Sequence, residues 1–179
     1  MSEMLDILND QGEVIGQATR ERAHREGLLI RFIYVWFYNP KGIILQRRGY
    51  NKDSWPGRLT TAVSGHVSAG LEFIDAAIVE TLEESGIKIT PEDLVDLGTV
   101  HLEYSDPSIN YTTNALRRSY AYKYEGDLGD LIIEEGEGAG FEMWSFERLL
   151  EATKSQPNEF VTFLTSDTSR EIIQKIAKL

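Results

Sequence analysis

Three glutamates, Glu80, Glu83 and Glu84, crowd into the stretch AAIVETLEESGIKI, with Gly65 and Gly70 before them and Gly86 directly after. On a helix, residues at i, i+3 and i+4 share a face. At roughly 100° per residue, the three carboxylates occupy one arc about 100° wide. Ile74, Ala77, Ile78, Thr81, Leu82 and Ser85 fall on another, mostly apolar arc. One face can therefore pack on a sheet while the acids converge on the other, and Gly86 suits the left-handed residue that ends such a helix. Carboxylates this close repel one another unless a positive charge sits among them, and hard oxygen ligands favour Mg²⁺, Mn²⁺ or Ca²⁺. A solvated acidic helix face has the same spacing, and helix geometry alone does not choose between the two.

The elements around this segment form a mixed order. MLDILND and EVIGQAT, joined across Asp10-Gln11-Gly12, predict a hairpin. Thr19 then caps a short helix that ends near Gly27. IRFIYVWFYNP and IILQRR, joined through Asn39-Pro40-Lys41-Gly42, predict a second hairpin rich in β-branched and aromatic residues. A polar loop, GYNKDSWPGR, leads to a buried strand, LTTAV, and residues 71–85 are expected to be helical. Pro91 opens a new segment, and DLVDLGTVHLEYS and NALRRSYAYKYEG predict two strands around Asp106-Pro107. GEGAG precedes a short strand, FEMWS, and helices are expected at 146–155 and 167–178. No repeat, long linker or low-complexity tract interrupts the chain. This order predicts an α+β fold, a mixed β-sheet sandwiched between helices, in one domain over 1–179 with residues 1–28 as an extension.

Composition excludes several classes. The chain of 179 residues is long enough to bury a core. It has no cysteine, which removes disulfides, thiolate metal sites and a cysteine nucleophile. No apolar run approaches the roughly 18 residues that a membrane span needs. MSEMLDILND does not read as a secretory signal, so a cytoplasmic location is expected. The net charge of −11 repels nucleic-acid phosphates and argues against a polymer partner. An anionic small substrate would need local basic groups or a bound cation to offset that field. The N-terminal hairpin and C-terminal helices offer surfaces for a homodimer.

Gly65, five residues, Leu71, seven residues, then Val79-Glu80-Thr81-Leu82-Glu83-Glu84-Ser85-Gly86-Ile87 resembles the Nudix box over residues 65–87. The family pattern is G, five residues, E, seven residues, R-E-U-x-E-E-x-G-U, with U aliphatic. Gly65, Glu80, Glu83, Glu84, Gly86 and Ile87 match. Leu71 replaces the first Glu, Val79 replaces the Arg, and Thr81 stands at an aliphatic position. LDILNDQGEVIGQATRERAHREGLL, the strand ending LQRR, the K-D-x-W-P-G loop and AVSGHVSAG are similar to the branch related to isopentenyl-diphosphate isomerase. FEMWSFERLL resembles the strand and helix that follow in such proteins.

The resemblance implies a Nudix fold and Mg²⁺-dependent hydrolysis of a diphosphate linkage in a small molecule, such as a nucleoside diphosphate derivative, with Mn²⁺ as a substitute. Glu80, Glu83, Glu84 and the Gly65 carbonyl would hold the cation. One of the three glutamates, or a loop acid among Glu134, Glu135 and Glu137, would orient or deprotonate the attacking water; Glu137 is taken as the loop candidate. Arg47 and Arg48 end their strand just before the loop, and alternation turns only one of them inward. An inward Arg, assisted by Lys52, would clamp a diphosphate; pairing with surface acids is the alternative for each. Trp55 and Tyr34 suit stacking on a base or packing.

The family's box Glu and Arg commonly form an ion pair, and here both are gone. Replacing both members of a partly buried pair by apolar groups can be neutral, so a Leu71–Val79 contact is expected to stand in for the brace. Two further readings follow from the same kinship: a non-catalytic ligand-binding domain, and the isomerase itself. His66 stands at the position of a metal-binding His of the isomerases, but Ser64 stands where they carry a catalytic Cys and Ile30 near another of their metal histidines, and these two replacements argue against isomerase chemistry.

Overall fold

The computed structural model describes every residue except Met1, Asp53, Glu134, Glu135 and Glu137. Two β-strands, β1 (Met4–Leu8) and β2 (Val14–Thr19), form a separate antiparallel hairpin. Helix α1 (Arg20–Glu26) follows, its first turn capped by the Thr19 hydroxyl accepting from the Arg22 N–H. Gly27 ends it at φ 63°, a left-handed conformation that costs glycine nothing.

The main sheet is built on β3 (Leu29–Asn39) and β4 (Gly42–Arg48). The alternate sides of β3 are both buried, Ile33, Val35 and Phe37 on one and Tyr34, Trp36 and Tyr38 on the other. This is why the segment reads as a continuous apolar run rather than an alternating one. The strand β8 (Tyr111–Lys123) lies parallel to β3 along its length, and β7 (Leu94–Asp106) pairs antiparallel with β8 at the sheet's edge. On the other side, β9 (Gly138–Trp144) pairs with β4.

The hairpin of β3 and β4 is paired only near its turn, from Phe37–Ile44 to Asn39–Gly42. Beyond that the two strands diverge, and two short strands fill the gap where one, LTTAV, was expected. β5 (Leu59–Thr61) pairs with β4, and β6 (Val63–His66), which runs on through Gly65, pairs with β3. Ala62 is the step between them, and each strand satisfies the backbone of one splayed partner.

Helix α2 (Phe73–Ser85) covers one face, where Ala76 and Ala77 meet Ile33, Val35, Phe37 and Ile44. Helices α3 (Phe146–Ser155) and α4 (Asp167–Ile176) cover the other, packing Leu149, Ala152, Ile172, Ile173 and Ile176 on Trp36, Ile43 and Leu45. The result is an α+β fold with a mixed sheet between helices. Among the described residues, no helix is long and apolar enough to cross a membrane.

The N-terminal hairpin grips the loop that leads into α2. The Ala69 N–H donates to the Met4 carbonyl (2.8 Å), and the Ser68 hydroxyl to Glu3 (3.1 Å). At the centre Asp6, buried within β1, accepts from Arg31 Nη2 at 2.6 Å, the Gly70 N–H at 2.9 Å and the Gln17 amide at 3.0 Å. Burial alone would raise the Asp6 pKa, but these donors outweigh it and hold the carboxyl below its ordinary value. Truncating Asp6 would leave Arg31 buried without its closest counter-ion, so Asp6→Ala is expected to cost about 3–5 kcal/mol in denaturant unfolding. Because the folded pKa is the lower one, this contribution is complete above the ordinary value of 3.8 and is lost as pH falls through the folded value. The gap between wild type and Asp6→Ala should therefore close in acid; a gap that stays constant across that window would contradict the assignment.

Candidate active site

A cleft of about 810 Å³ opens beside the splayed strands and is lined by α2, β3–β8 and the segment after α3. The volume falls in the range typical of small-molecule sites, about 300–1,000 Å³. Glu80, Glu83, Glu84 and Gly65 share one of its walls. Glu84 is buried, and its Oε2 accepts the Ser64 N–H at 3.0 Å. Glu80 lies directly over Gly65: a Cβ there would stand 2.3 Å from the Glu80 carboxyl carbon. The glycine is needed because the helix carboxylate rests on the strand's backbone. Glu83 is exposed at the cleft rim. Leu82, expected on the packing face, is 43% exposed, because the residues that seat α2 are Ala76, Ala77, Thr81 and Ser85.

Hard oxygen donors on one wall fit a hard divalent cation. Among the described residues, no three acidic or imidazole groups already stand together as a metal cage. Glu137 and its neighbours Glu134 and Glu135 lie outside the described residues.

The two consecutive arginines separate. Arg48 lines the cleft together with Lys52, and donates to the Ser54 carbonyl (3.1 Å) and hydroxyl (3.3 Å) of the polar loop. Arg47, the other candidate, turns to the opposite side of the strand. There it pairs with Glu142 at 2.6 Å, donates to the Gly57 carbonyl at 2.8 Å and lies 3.8 Å from Glu159. Strand alternation enforces this division.

Leu71 and Val79, expected to touch, both line the cleft. Leu71 is half-buried against the core beneath α2, and Val79 is 42% exposed. The loop is also held from outside this segment, by Asp6, Arg31 and the strand β1.

Other side chains line the cleft or stand against those that do. His24 and His66 are buried and approach to 2.8 Å between their Nε2 atoms. Burial drives both pKa values down, that of His66 well below its ordinary value. With both neutral, the His24 Nδ1–H donates to the Thr112 carbonyl (2.9 Å), so His24 Nε2 must accept from His66. Tyr111 stacks on His24 at 4.2 Å. Trp55, held at φ 50°, meets Tyr104 at 4.4 Å across the cleft's mouth. Deeper, Arg117 lies against Tyr34 and Phe163. A signal for Arg117 exists in the sequence: it shares strand parity with Ala115, Ser119 and Ala121.

The NUDIX domain family matches residues 29–164. Nudix hydrolase 3 of Arabidopsis thaliana is 36% identical over 104 residues, covering 56% of this chain and 13% of that protein. An uncharacterised Nudix hydrolase of Clostridium acetobutylicum is 29% identical over 152 residues, covering 78% and 73%. Isopentenyl-diphosphate Delta-isomerase of Escherichia coli is 33% identical over 96 residues, covering 52% and 53%. The chain thus spans 13% of the Arabidopsis relative and about half of several others, including the isomerase. Among solved structures, DR0079 from Deinococcus radiodurans superposes with a TM-score of 0.70 at 22% identity, covering 97% of this chain and 98% of its own. The MutT protein from Methanosarcina mazei gives 0.64 at 18% identity, covering 84% and 96%. These likenesses agree with the fold described above.

The Gly65–Glu80 contact yields a test. Gly65→Ala should fold, since the group it displaces is the end of a flexible side chain, yet it moves the Glu80 carboxylate off the strand. Mg²⁺ or Mn²⁺ affinity by calorimetry is expected to fall about 10-fold or more, a loss of the size that misplaced metal ligands give. Unchanged affinity would remove Glu80 from the donor set.

Proposed function

The chain belongs to the Nudix family, and from that premise we propose that it hydrolyses a diphosphate linkage in a small molecule with the help of a divalent cation, Mg²⁺ or Mn²⁺. The observation that carries the reading is the division of the cleft, with Glu80, Glu83, Glu84 and Gly65 on one wall and Arg48 and Lys52 lining the same cavity. We also place the chain on the branch related to isopentenyl-diphosphate isomerase, with a box that has lost its charged brace at Leu71 and Val79.

Glu80, Glu83, Glu84 and the Gly65 carbonyl would hold the cation. When bound, it supplies positive charge that polarises phosphate oxygens and acidifies water. The protein's own groups do the rest. Ser64 fixes the Glu84 carboxylate through its backbone N–H, so that glutamate is positioned to orient or deprotonate the attacking water. Arg48 and Lys52 offset the charge of the diphosphate, which the overall charge of −11 would otherwise repel. Glu137 remains the candidate for an additional carboxylate.

A second reading, a Nudix domain that binds its ligand without turning it over, draws support from the exposed Val79 and from the spread of the three glutamates. Isomerase chemistry is not assigned, because Ser64 offers no thiol and the chain has no cysteine.

A panel of diphosphate compounds assayed with Mg²⁺ or Mn²⁺ separates these readings. Wild type should turn over at least one class, and Glu84→Gln should lower kcat by roughly 10²–10⁴-fold, the usual contribution of a positioned proton acceptor. Ligand binding without turnover would favour the non-catalytic domain, and absence of both turnover and metal binding would overturn the hydrolase.

A further inference from the structure

Arg117 has no part in the chemistry above, yet it is the most deeply buried cation of the cleft. It sits in β8, 2% exposed, and lines the cavity floor. Its guanidinium carbon stands 4.8 Å from the centre of the Tyr34 ring and 5.2 Å from that of Phe163. Those two rings stack on each other at 4.2 Å. Among the described residues no carboxylate pairs with Arg117, and its Nε–H has no hydrogen-bond partner. The neighbouring Arg118, by contrast, turns to the other side of the strand and pairs with Asp96.

An arginine cannot shed its proton to escape burial. A buried charge without a counter-ion is costly, and the aromatic faces return only part of that cost. Purely as a packing element, an aliphatic side chain would fill the space beside Tyr34 and Phe163 better. The open direction left to Arg117 is the cleft. A second buried donor faces the same cavity without a partner, the side-chain amide nitrogen of Gln46. Burial also raises the Tyr34 phenol far above its ordinary pKa, so its hydroxyl stays protonated. That hydroxyl oxygen accepts from the Arg117 guanidinium, and among the described residues the floor still holds two unpartnered donors, Arg117 Nε and Gln46 Nε2, with no carboxylate paired to them.

We infer that Arg117, framed by Tyr34 and Phe163, is an oxyanion-binding site in the cleft floor, and that the ligand carries a phosphate or carboxylate there in addition to its diphosphate. The second half of that statement rests on the proposed hydrolase reading; the anion site does not. The strand register separates the two groups. Arg117 is paired with Phe32, and Phe32 with His66, the residue after Gly65. Two strand spacings, about 10 Å, thus lie between the backbone of Arg117 and that of the metal-facing strand. Arg48 and Lys52 serve the half-exposed mouth and Arg117 the buried floor, so the ligand would extend inward from its diphosphate and end in a second negative charge.

The test avoids both metal and turnover. The full chain, stripped of divalent cations with EDTA, is titrated with inorganic phosphate and, separately, with acetate, while the arginine Nε–Hε resonances are followed by NMR. One resonance should shift saturably, and it should be the one missing from Arg117→Met. Affinity is expected to fall by at least about 10-fold in Arg117→Met, the equivalent of one hydrogen-bonded charge. It should be partly retained in Arg117→Lys and unchanged in Arg118→Met. A response to phosphate alone, or to acetate alone, identifies the terminal group. No saturable shift in wild type, or equal affinity in Arg117→Met, overturns the site. If Arg117→Met fails to fold, the wild-type titration and Arg117→Lys decide. Because no hydrolysis is measured, an inactive enzyme that still binds phosphate at Arg117 would sink the hydrolase reading and leave this one standing.

Discussion

The pairing of Asp6 with Arg31 is the constraint on which the cleft depends. The loop from Val67 to Glu72 joins the inserted strand β6 to α2, and its course sets where the helix carboxylates point. Asp6 holds the Gly70 N–H, and Arg31 anchors both Asp6 and, through its carbonyl, the Val67 N–H at 3.1 Å. A buried carboxylate with three donors is stable only while all three are in place. The geometry of the α2 wall is thus tied to a hairpin that lies outside the matched family region, residues 29–164. The loop is thereby fastened to the N-terminal strand.

The electrostatics of the cleft follow from how the sheet divides its neighbouring charges. Two Arg-Arg pairs, at 47–48 and 117–118, lie on strands, and in each pair alternation sends one member into the cavity and the other to an acidic partner outside it. Arg47 meets Glu142 and Arg118 meets Asp96, while Arg48 and Arg117 face the cleft. An acidic protein thereby places cations where an anionic ligand would sit without becoming basic elsewhere. The carboxylate wall of α2 supplies the opposite sign, which only a bound cation can reconcile with a diphosphate.

Much of this was legible in the residues. Thr19 and Gly27 bracket α1, Gly86 ends α2, and α3 runs over the expected 146–155, because capping and left-handed termination are local and have specific residue preferences. The break at Ala62 between β5 and β6, and the continuation of β6 through His66, were not legible. A short stretch carries no mark of which partner each strand will choose, and the choice comes from the splaying of β3 and β4. The parallel pairing of β3 with β8 is likewise a long-range outcome. In the site, the register of the three glutamates could be read from helix periodicity, whereas the partners of Asp6, His24 and Arg117 could not. Their shared signal is a charged or polar side chain in a core-facing strand or helix position, which says that a partner exists without naming it.

That signal has different meanings at Asp6 and at Arg117. Both are charges placed among apolar neighbours in a strand, and both are costly to bury alone. Asp6 has its counter-ion within the chain, with further donors completing its shell, and the outcome is a rigid loop. Arg117 has aromatic faces, the Tyr34 hydroxyl and an open cavity but no carboxylate among the described residues, the setting from which we infer an entering anion. The difference separates a buried charge that stabilises the fold from one that is held ready for a ligand. It can be drawn only after the partners are known.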